Sequence, residues 1–257
     1  MNHVVMFSGG ISSWAAARRV VQREGVEHVT LLFADTLIED WDSYRFMGEA
    51  AYDLGLPVTR IADGRTPFQV FADVKFLGNS RVDPCSRVLK RDLIDRWISE
   101  RFTPDEVRVY TGLTWEEEHR QERIAERKLP YVYLAPLCDA PYLSKSQTLA
   151  LAQSEGLTPP RLYDMGFSHA NCGGGCVKAG IGHFANLLDK LPHVFEEWEK
   201  NENAMRGQLG DVSMLKDRRG GMTRPLPLTQ LRRRIEADEK LTFDEQYEIG
   251  GCACAIE

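Results

Sequence analysis

The feature that most limits what this chain can fold into is an alternation in its first half: short β-rich apolar runs separated by amphipathic stretches of helical length. The runs are Val4 to Phe7, Val29 to Ala34, Val58 to Ala62, Val107 to Thr111 and Tyr131 to Ala135. Between them, Ser13 to Arg23, Trp41 to Leu54, Ser86 to Arg101 and Glu116 to Arg127 carry helical spacing. Strands alternating with helices in this way are the mark of a parallel sheet covered by helices, joined by right-handed crossovers. The expected fold is α/β, a doubly wound, mostly parallel five-stranded sheet.

Beyond Tyr142 the alternation stops. Ser144 to Glu155 reads as a helix that Thr158-Pro159-Pro160 ends. His183 to Lys190, Pro192 to Asn203 and Leu228 to Glu239 read as further helices, and Gly207 to Arg224, rich in glycine and charge, as a loop. The chain therefore divides into an α/β domain, residues 1–160, and a helical and loop extension, residues 161–257, that carries cysteines and packs on the first. At 257 residues and 43% hydrophobic it can bury a full core.

No apolar run reaches the roughly 20 residues needed to cross a bilayer, and Met1-Asn2-His3-Val4-Val5 lacks a basic start followed by a cleavable apolar segment. The expected location is cytoplasmic, with no membrane contact. A net charge of -6 argues against a protein that coats nucleic acid by bulk electrostatics. Locally the balance inverts: between Lys216 and Arg234 stand Lys216, Arg218, Arg219, Arg224, Arg232, Arg233 and Arg234 against one acid, Asp217. That segment is either a solvated surface or a landing site for an anionic partner such as nucleic acid.

The first strand runs directly into Ser8-Gly9-Gly10-Ile11-Ser12-Ser13, with a helix following. Glycines let the backbone approach a phosphate, while free amides and the positive end of a helix dipole attract the anion. Hydroxyls on Ser8, Ser12 and Ser13 add donors. A tight structural turn is the other reading of the same residues.

The cysteines are the second strong feature. Cys172-Gly173-Gly174-Gly175-Cys176 frees the backbone to fold a turn around an ion, so that both sulfurs can point at one centre. Taken alone, the pair is also compatible with a structural knuckle or a redox couple. Cys252 and Cys254 form a second close pair, and Cys138 reads as an inert buried thiol.

Several segments in order resemble one family. Ser8-Gly9-Gly10-Ile11-Ser12-Ser13 is similar to the Ser-Gly-Gly-x-x-Ser loop (PP-loop) of the adenine nucleotide α-hydrolase superfamily, which includes the ATP pyrophosphatases and the phosphoadenosine phosphosulfate (PAPS) reductases. Phe33-Ala34-Asp35-Thr36 resembles the reductase-like Asp-Thr at the end of the second strand. Pro84-Cys85-Ser86-Arg87-Val88-Leu89-Lys90 resembles their Cys-x-x-x-Leu-Lys segment, and Gly112 to Arg120 their Gly-Ile-x-x-x-Glu-x-x-Arg stretch. Pro136 through Cys176 resembles their run from a proline, through a helix, to a cysteine pair, so the likeness covers roughly the first 180 residues. Two departures stand out. Many ATP-cleaving members have Asp where Ser12 stands, and the Cys-Gly-x-His tail of the reductases is absent, the chain carrying Gly250-Gly251-Cys252-Ala253-Cys254 near its end.

The resemblance implies that Ser8, Gly9, Gly10, Ser12 and Ser13, with Gly112, bind an adenine nucleotide, and that Asp35 binds ribose or Mg2+. It implies Lys90 and Arg120 as cations for charge on phosphate, with Glu117 orienting Arg120 or binding metal. His119 and His169 fall near these segments, but a lone histidine is more often structural. It also places Cys85 near the cysteine pair, giving Cys85, Cys172, Cys176 and one of Cys252 or Cys254 as ligands of a 4Fe-4S cluster or, alternatively, Zn2+. The activity implied is cleavage of ATP between the α and β phosphates to adenylylate an acceptor, with the cluster serving sulfur transfer. The alternatives are a sulfonucleotide (PAPS or APS) reductase and a non-catalytic nucleotide-binding module.

Overall fold

The computed structural model describes residues 1–239. The expected strands form one five-stranded, all-parallel sheet in the order β3-β2-β1-β4-β5: β1 (Asn2–Met6), β2 (Val29–Asp35), β3 (Val58–Ala62), β4 (Val107–Tyr110) and β5 (Val132–Leu134). The order reverses between β1 and β4, and open α/β sheets place ligands in the crevice at the carboxyl ends of such strands.

The central strands carry unbroken apolar runs, Val4 to Met6 in β1 and Leu31 to Ala34 in β2, because side chains alternate faces and both faces are covered. From β1 and β2, Val5, Leu31 and Phe33 turn to one face, together with Phe7 just past β1. There they meet Trp14 and Ala17 of α1 (Ile11–Glu24), Phe46 and Ala50 of α2 (Trp41–Asp53) and Ala152 of α7 (Lys145–Ser154). Val4, Met6, Leu32 and Ala34 turn to the other face, against Ile94 and Ile98 of α5 (Asp92–Ser99) and Ile124 of α6 (Glu118–Arg127). The fold is thus α/β and doubly wound.

A further core lies under the carboxyl-terminal segment. Phe184 and Leu187 of α8 (Ile181–Lys190) and Phe195, Trp198 and Met205 of α9 (Pro192–Leu209) pack with Leu228 and Leu231 of α10 (Leu228–Glu236). Phe71 of α3 (Pro67–Val74) and Leu77, both from the first part of the chain, join the same core.

Three elements differ from expectation. Ser86 to Arg101 is helical as expected but starts two residues earlier and is not regular: α4 (Pro84–Ser86) passes without a break into a π-helical turn, Arg87–Arg91, and on into α5. Gly207 to Arg224 is not a plain loop, because α9 runs to Leu209 and an antiparallel hairpin follows, β6 (Leu215–Asp217) with β7 (Arg224–Leu226). Helix α3 was not anticipated. Among the described residues no helix is long and apolar enough to cross a membrane.

Candidate functional site

The loop after β1 is built as an anion cradle. Gly9 turns at φ +76°, Gly10 is the N-cap of α1, and the Ser13 hydroxyl donates to the Gly10 carbonyl at 2.7 Å. The Ser12 and Ser13 amides meet no backbone acceptor among the described residues, whereas the Ile11 amide donates to the Tyr163 hydroxyl at 3.1 Å. Gly112, beyond the end of β4, lies directly beneath: a Cβ there would come within 3.0 Å of the Ser13 nitrogen. Only glycine lets the β4 end and the loop run this close.

A pocket of about 660 Å3 opens over this loop at the carboxyl ends of β1, β2 and β4. Ser8, Gly10, Ile11, Ser12 and Ser13 form its floor, and Phe33 and Ala34 one side. Gly112, Leu113, Thr114, Glu116, Glu117, His119 and Arg120 form a second, and Lys145, Tyr163 and Ser168 to Asn171 a third. The volume falls within the roughly 300–1,000 Å3 of small-molecule sites. Lys90 also lines the pocket, near Glu39 with a 3.9 Å separation. Arg120 is held by Glu117, whose other oxygen accepts from the Thr114 amide at 3.4 Å in a capping box. Asn171 is buried, and its Oδ1 has no hydrogen-bond partner among the described residues.

Behind this pocket lies a small cavity of about 10 Å3 lined by Cys85, Cys172, Cys176, Thr36, Ser86 and Lys90. Lys90 therefore stands on the wall between the two spaces. Cys172 sits in left-handed conformation, φ +56°, and its amide donates to Glu39. Burial pushes the Glu39 carboxyl up, against the pull of Lys90 and a 2.9 Å hydrogen bond from the Thr36 hydroxyl. A Cβ on Gly175 would fall 2.0 Å from Trp198 Nε1, so the glycine run is required by close packing as well as by the turn. The three thiols suit a thiophilic ion in donor type, although no group of three or more His, Cys, Asp or Glu among the described residues has the closeness of a metal site. Cys252 and Cys254 lie outside the described residues.

Of the residues singled out from the sequence, Ser8, Gly10, Ser12, Ser13, Lys90, Gly112, Glu117 and Arg120 come together on one pocket, as do His119 and His169. Gly9 and Asp35 are not on its lining. Asp35 is fully buried and accepts from the Leu37 amide at 2.7 Å, the Tyr44 hydroxyl at 2.8 Å and Arg60 at 2.7 Å. Cys138, expected to be buried, is half-buried, and partial burial with neighbouring acids pushes its thiol up to about 11. The Lys216 to Arg234 segment adds nothing to the pocket; Asp217 accepts from Arg219 and Arg234, and Arg232 pairs with Glu199 at 2.8 Å. Those arginines hold the Asp217 carboxyl well below the usual range.

Sequence reasoning missed Glu39, Lys145, Tyr163 and Asn171. Only Lys145 had a local signal, the Ser144 and Gln147 capping box that fixes the start of α7. The others reach the site by tertiary contact alone.

No protein-family model matches the chain, and no curated protein matches it. Among 31 solved chains that match is phosphoadenylyl-sulfate (PAPS) reductase from Candida auris in a phosphate complex. It superposes with a TM-score of 0.47 at 16% identity, over 65% of this chain and 79% of that one.

Proposed function

We propose that the chain binds ATP in the pocket over the Ser8 to Ser13 loop and cleaves it between the α and β phosphates, adenylylating an acceptor. The observation that carries this reading is the joining of the Ser12 and Ser13 amides, which meet no backbone acceptor among the described residues, with Lys90, Arg120 and Lys145 on one pocket at the switch point of the sheet. Lys90 and Arg120 neutralise charge on the phosphates and Glu117 orients Arg120, while Mg2+ arriving with the nucleotide would supply further positive charge against the leaving group. Chemistry of this kind asks mainly for positioning and charge stabilisation, which suits a site with few acid-base groups. Holding the β and γ phosphates favours pyrophosphate as leaving group, since charge appears there as the α-β bond breaks. A centre held by Cys85, Cys172, Cys176 and Cys252 or Cys254, iron-sulfur or zinc, would bind or deliver sulfur beside it. A nucleic acid or another anionic molecule is the proposed acceptor, in the cytoplasm.

The test is to incubate labelled ATP and Mg2+ with anaerobically prepared protein and a pool of cellular nucleic acids and metabolites, then separate the products. AMP and pyrophosphate are expected. ADP and phosphate as the only products would overturn the proposal. The cysteine cavity that shares Lys90 with the pocket favours a second reading, a sulfonucleotide reductase. Sulfite release from PAPS or APS with ATP untouched would install it instead.

A further inference from the structure

The pocket's third wall, contributed by Lys145 and residues 163 to 171, has polar groups that the loop and the first two walls do not use. Of the three Lys and Arg side chains on the lining, Lys90 stands near Glu39 and Arg120 is held by Glu117. Lys145 has no carboxylate within ion-pair reach among the described residues. Its ammonium is held instead by carbonyls, donating to Ser168 at 2.6 Å and Phe167 at 3.5 Å, and lies 4.6 Å from the centre of the Tyr163 ring. Two neutral carbonyls fix the position of that charge without cancelling it, and one of its three N–H bonds remains.

Tyr163 is placed just as specifically. Its hydroxyl oxygen accepts from the Ile11 amide, the first of α1, and stands where a Cβ on Gly10 would meet it at 3.3 Å. The hydroxyl proton has no acceptor among the described residues. Burial pushes the phenol up to about 12, so near neutral pH it stays protonated and able to donate. A half-buried hydroxyl that takes an amide proton on one side and has its own to offer on a pocket lining extends the cradle by one donor.

We propose that Tyr163 and Lys145 form a second phosphoryl-holding arm, in which the Tyr163 hydroxyl and the Lys145 ammonium donate to phosphate oxygens seated on the Ser8 to Ser13 loop. This rests on the reading of the pocket as a nucleotide site and names the part of the ligand that the third wall recognises: its phosphoryl chain, not its base. The arm couples the anion seat to the segment leading into the cysteine turn, because the carbonyls that hold Lys145 belong to residues 167 and 168.

Calorimetric titration of the wild type, Tyr163→Phe and Lys145→Met with Mg-ATP, inorganic pyrophosphate and adenosine tests this. Phenylalanine keeps the ring beneath the Lys145 ammonium and removes only the hydroxyl. Methionine keeps the stem and removes the charge. Each variant is expected to bind ATP and pyrophosphate about 10-fold more weakly, the loss of one charge-assisted hydrogen bond, and adenosine as the wild type does. Unchanged pyrophosphate affinity in both variants would overturn the arm. So would an equal loss for adenosine and pyrophosphate, which would mark a structural role. Should Tyr163→Phe fail to fold by thermal melting, Lys145→Met carries the test alone. Wild-type protein that binds neither ATP nor pyrophosphate would overturn the pocket's reading, and the arm with it.

Discussion

At the scale of single residues, Asp35, set beside Lys90, shows why a site-like position in sequence need not face a ligand. Both fall in segments that suggest chemistry, and both are buried. Lys90 reaches the pocket because a π-helical turn, often a mark of functional sites, re-aims the chain between α4 and α5. Asp35 points the other way and ties β2 to Arg60 of β3, to Tyr44 of α2 and to the turn at Leu37. Asp35→Asn puts an amide N–H against donors that were satisfied by a carboxylate oxygen. The variant should lose about 2 kcal/mol of stability, as expected for a disrupted buried network with a charged member. Its affinity for nucleotide, measured on the folded protein, should be close to that of the wild type. Normal stability with abolished Mg-ATP binding would instead return Asp35 to the site as a ribose or magnesium ligand.

At the scale of elements, what was legible followed from periodicity. All five strands and most helices are visible as alternating patterns, because each buries an apolar face with a fixed repeat. Helix α3 escaped because Pro67 to Val74 spans only eight residues, too short for its buried face of Pro67, Val70 and Phe71 to repeat, although its Thr66 and Gln69 capping box and its Pro67 start were readable. The hairpin of β6 and β7 escaped because each strand has only three residues. The turn from Cys172 to Cys176 was legible as a turn, but its contacts with Glu39 and Trp198 were not, since they join residues far apart in sequence. If this turn holds a metal with Cys85, the double variant Cys172→Ser, Cys176→Ser, purified without oxygen, should lose iron or zinc by elemental analysis, whereas Cys138→Ser should keep it. Full metal content in the double variant would remove the turn from any metal site.

At the scale of the whole molecule, the segment beyond residue 160 is bound to the sheet domain by more than apolar contact. Arg161 pairs with Asp40 at 2.7 Å, and its amide donates to Asp42 at 2.7 Å; the Ser43 hydroxyl of α2 donates to the Ala170 carbonyl at 3.0 Å. Phe71 and Leu77 complete the second core from the other side. Loss of structure around α8 should therefore be felt in the melting of the whole chain, and His183 offers a way to provoke it. Its Nε2 lies 2.6 Å from the Gly174 carbonyl, so the ring is assigned with Nε2–H as donor, and it stacks on His169 at 5.4 Å and meets Phe167 edge-on at 5.2 Å. Burial, aided by His169, lowers its pKa from 6.5 to about 4. Between those values the unfolded chain binds more protons than the folded one, so stability rises with pH across that window and falls on acidification through it. The gap between the two values corresponds to about 3 kcal/mol when fully expressed below pH 4. Glu39 and Glu202, whose buried carboxyls are pushed up, act in the opposite sense, and they are common to wild type and variant. His183→Gln keeps an N–H donor for Gly174 but cannot be charged by acid. Urea midpoints recorded from pH 7 to pH 4 should therefore fall less steeply for His183→Gln than for the wild type, in a single transition for each. Parallel pH profiles for the two proteins would show that protonation of His183 does not drive the acid loss of the fold.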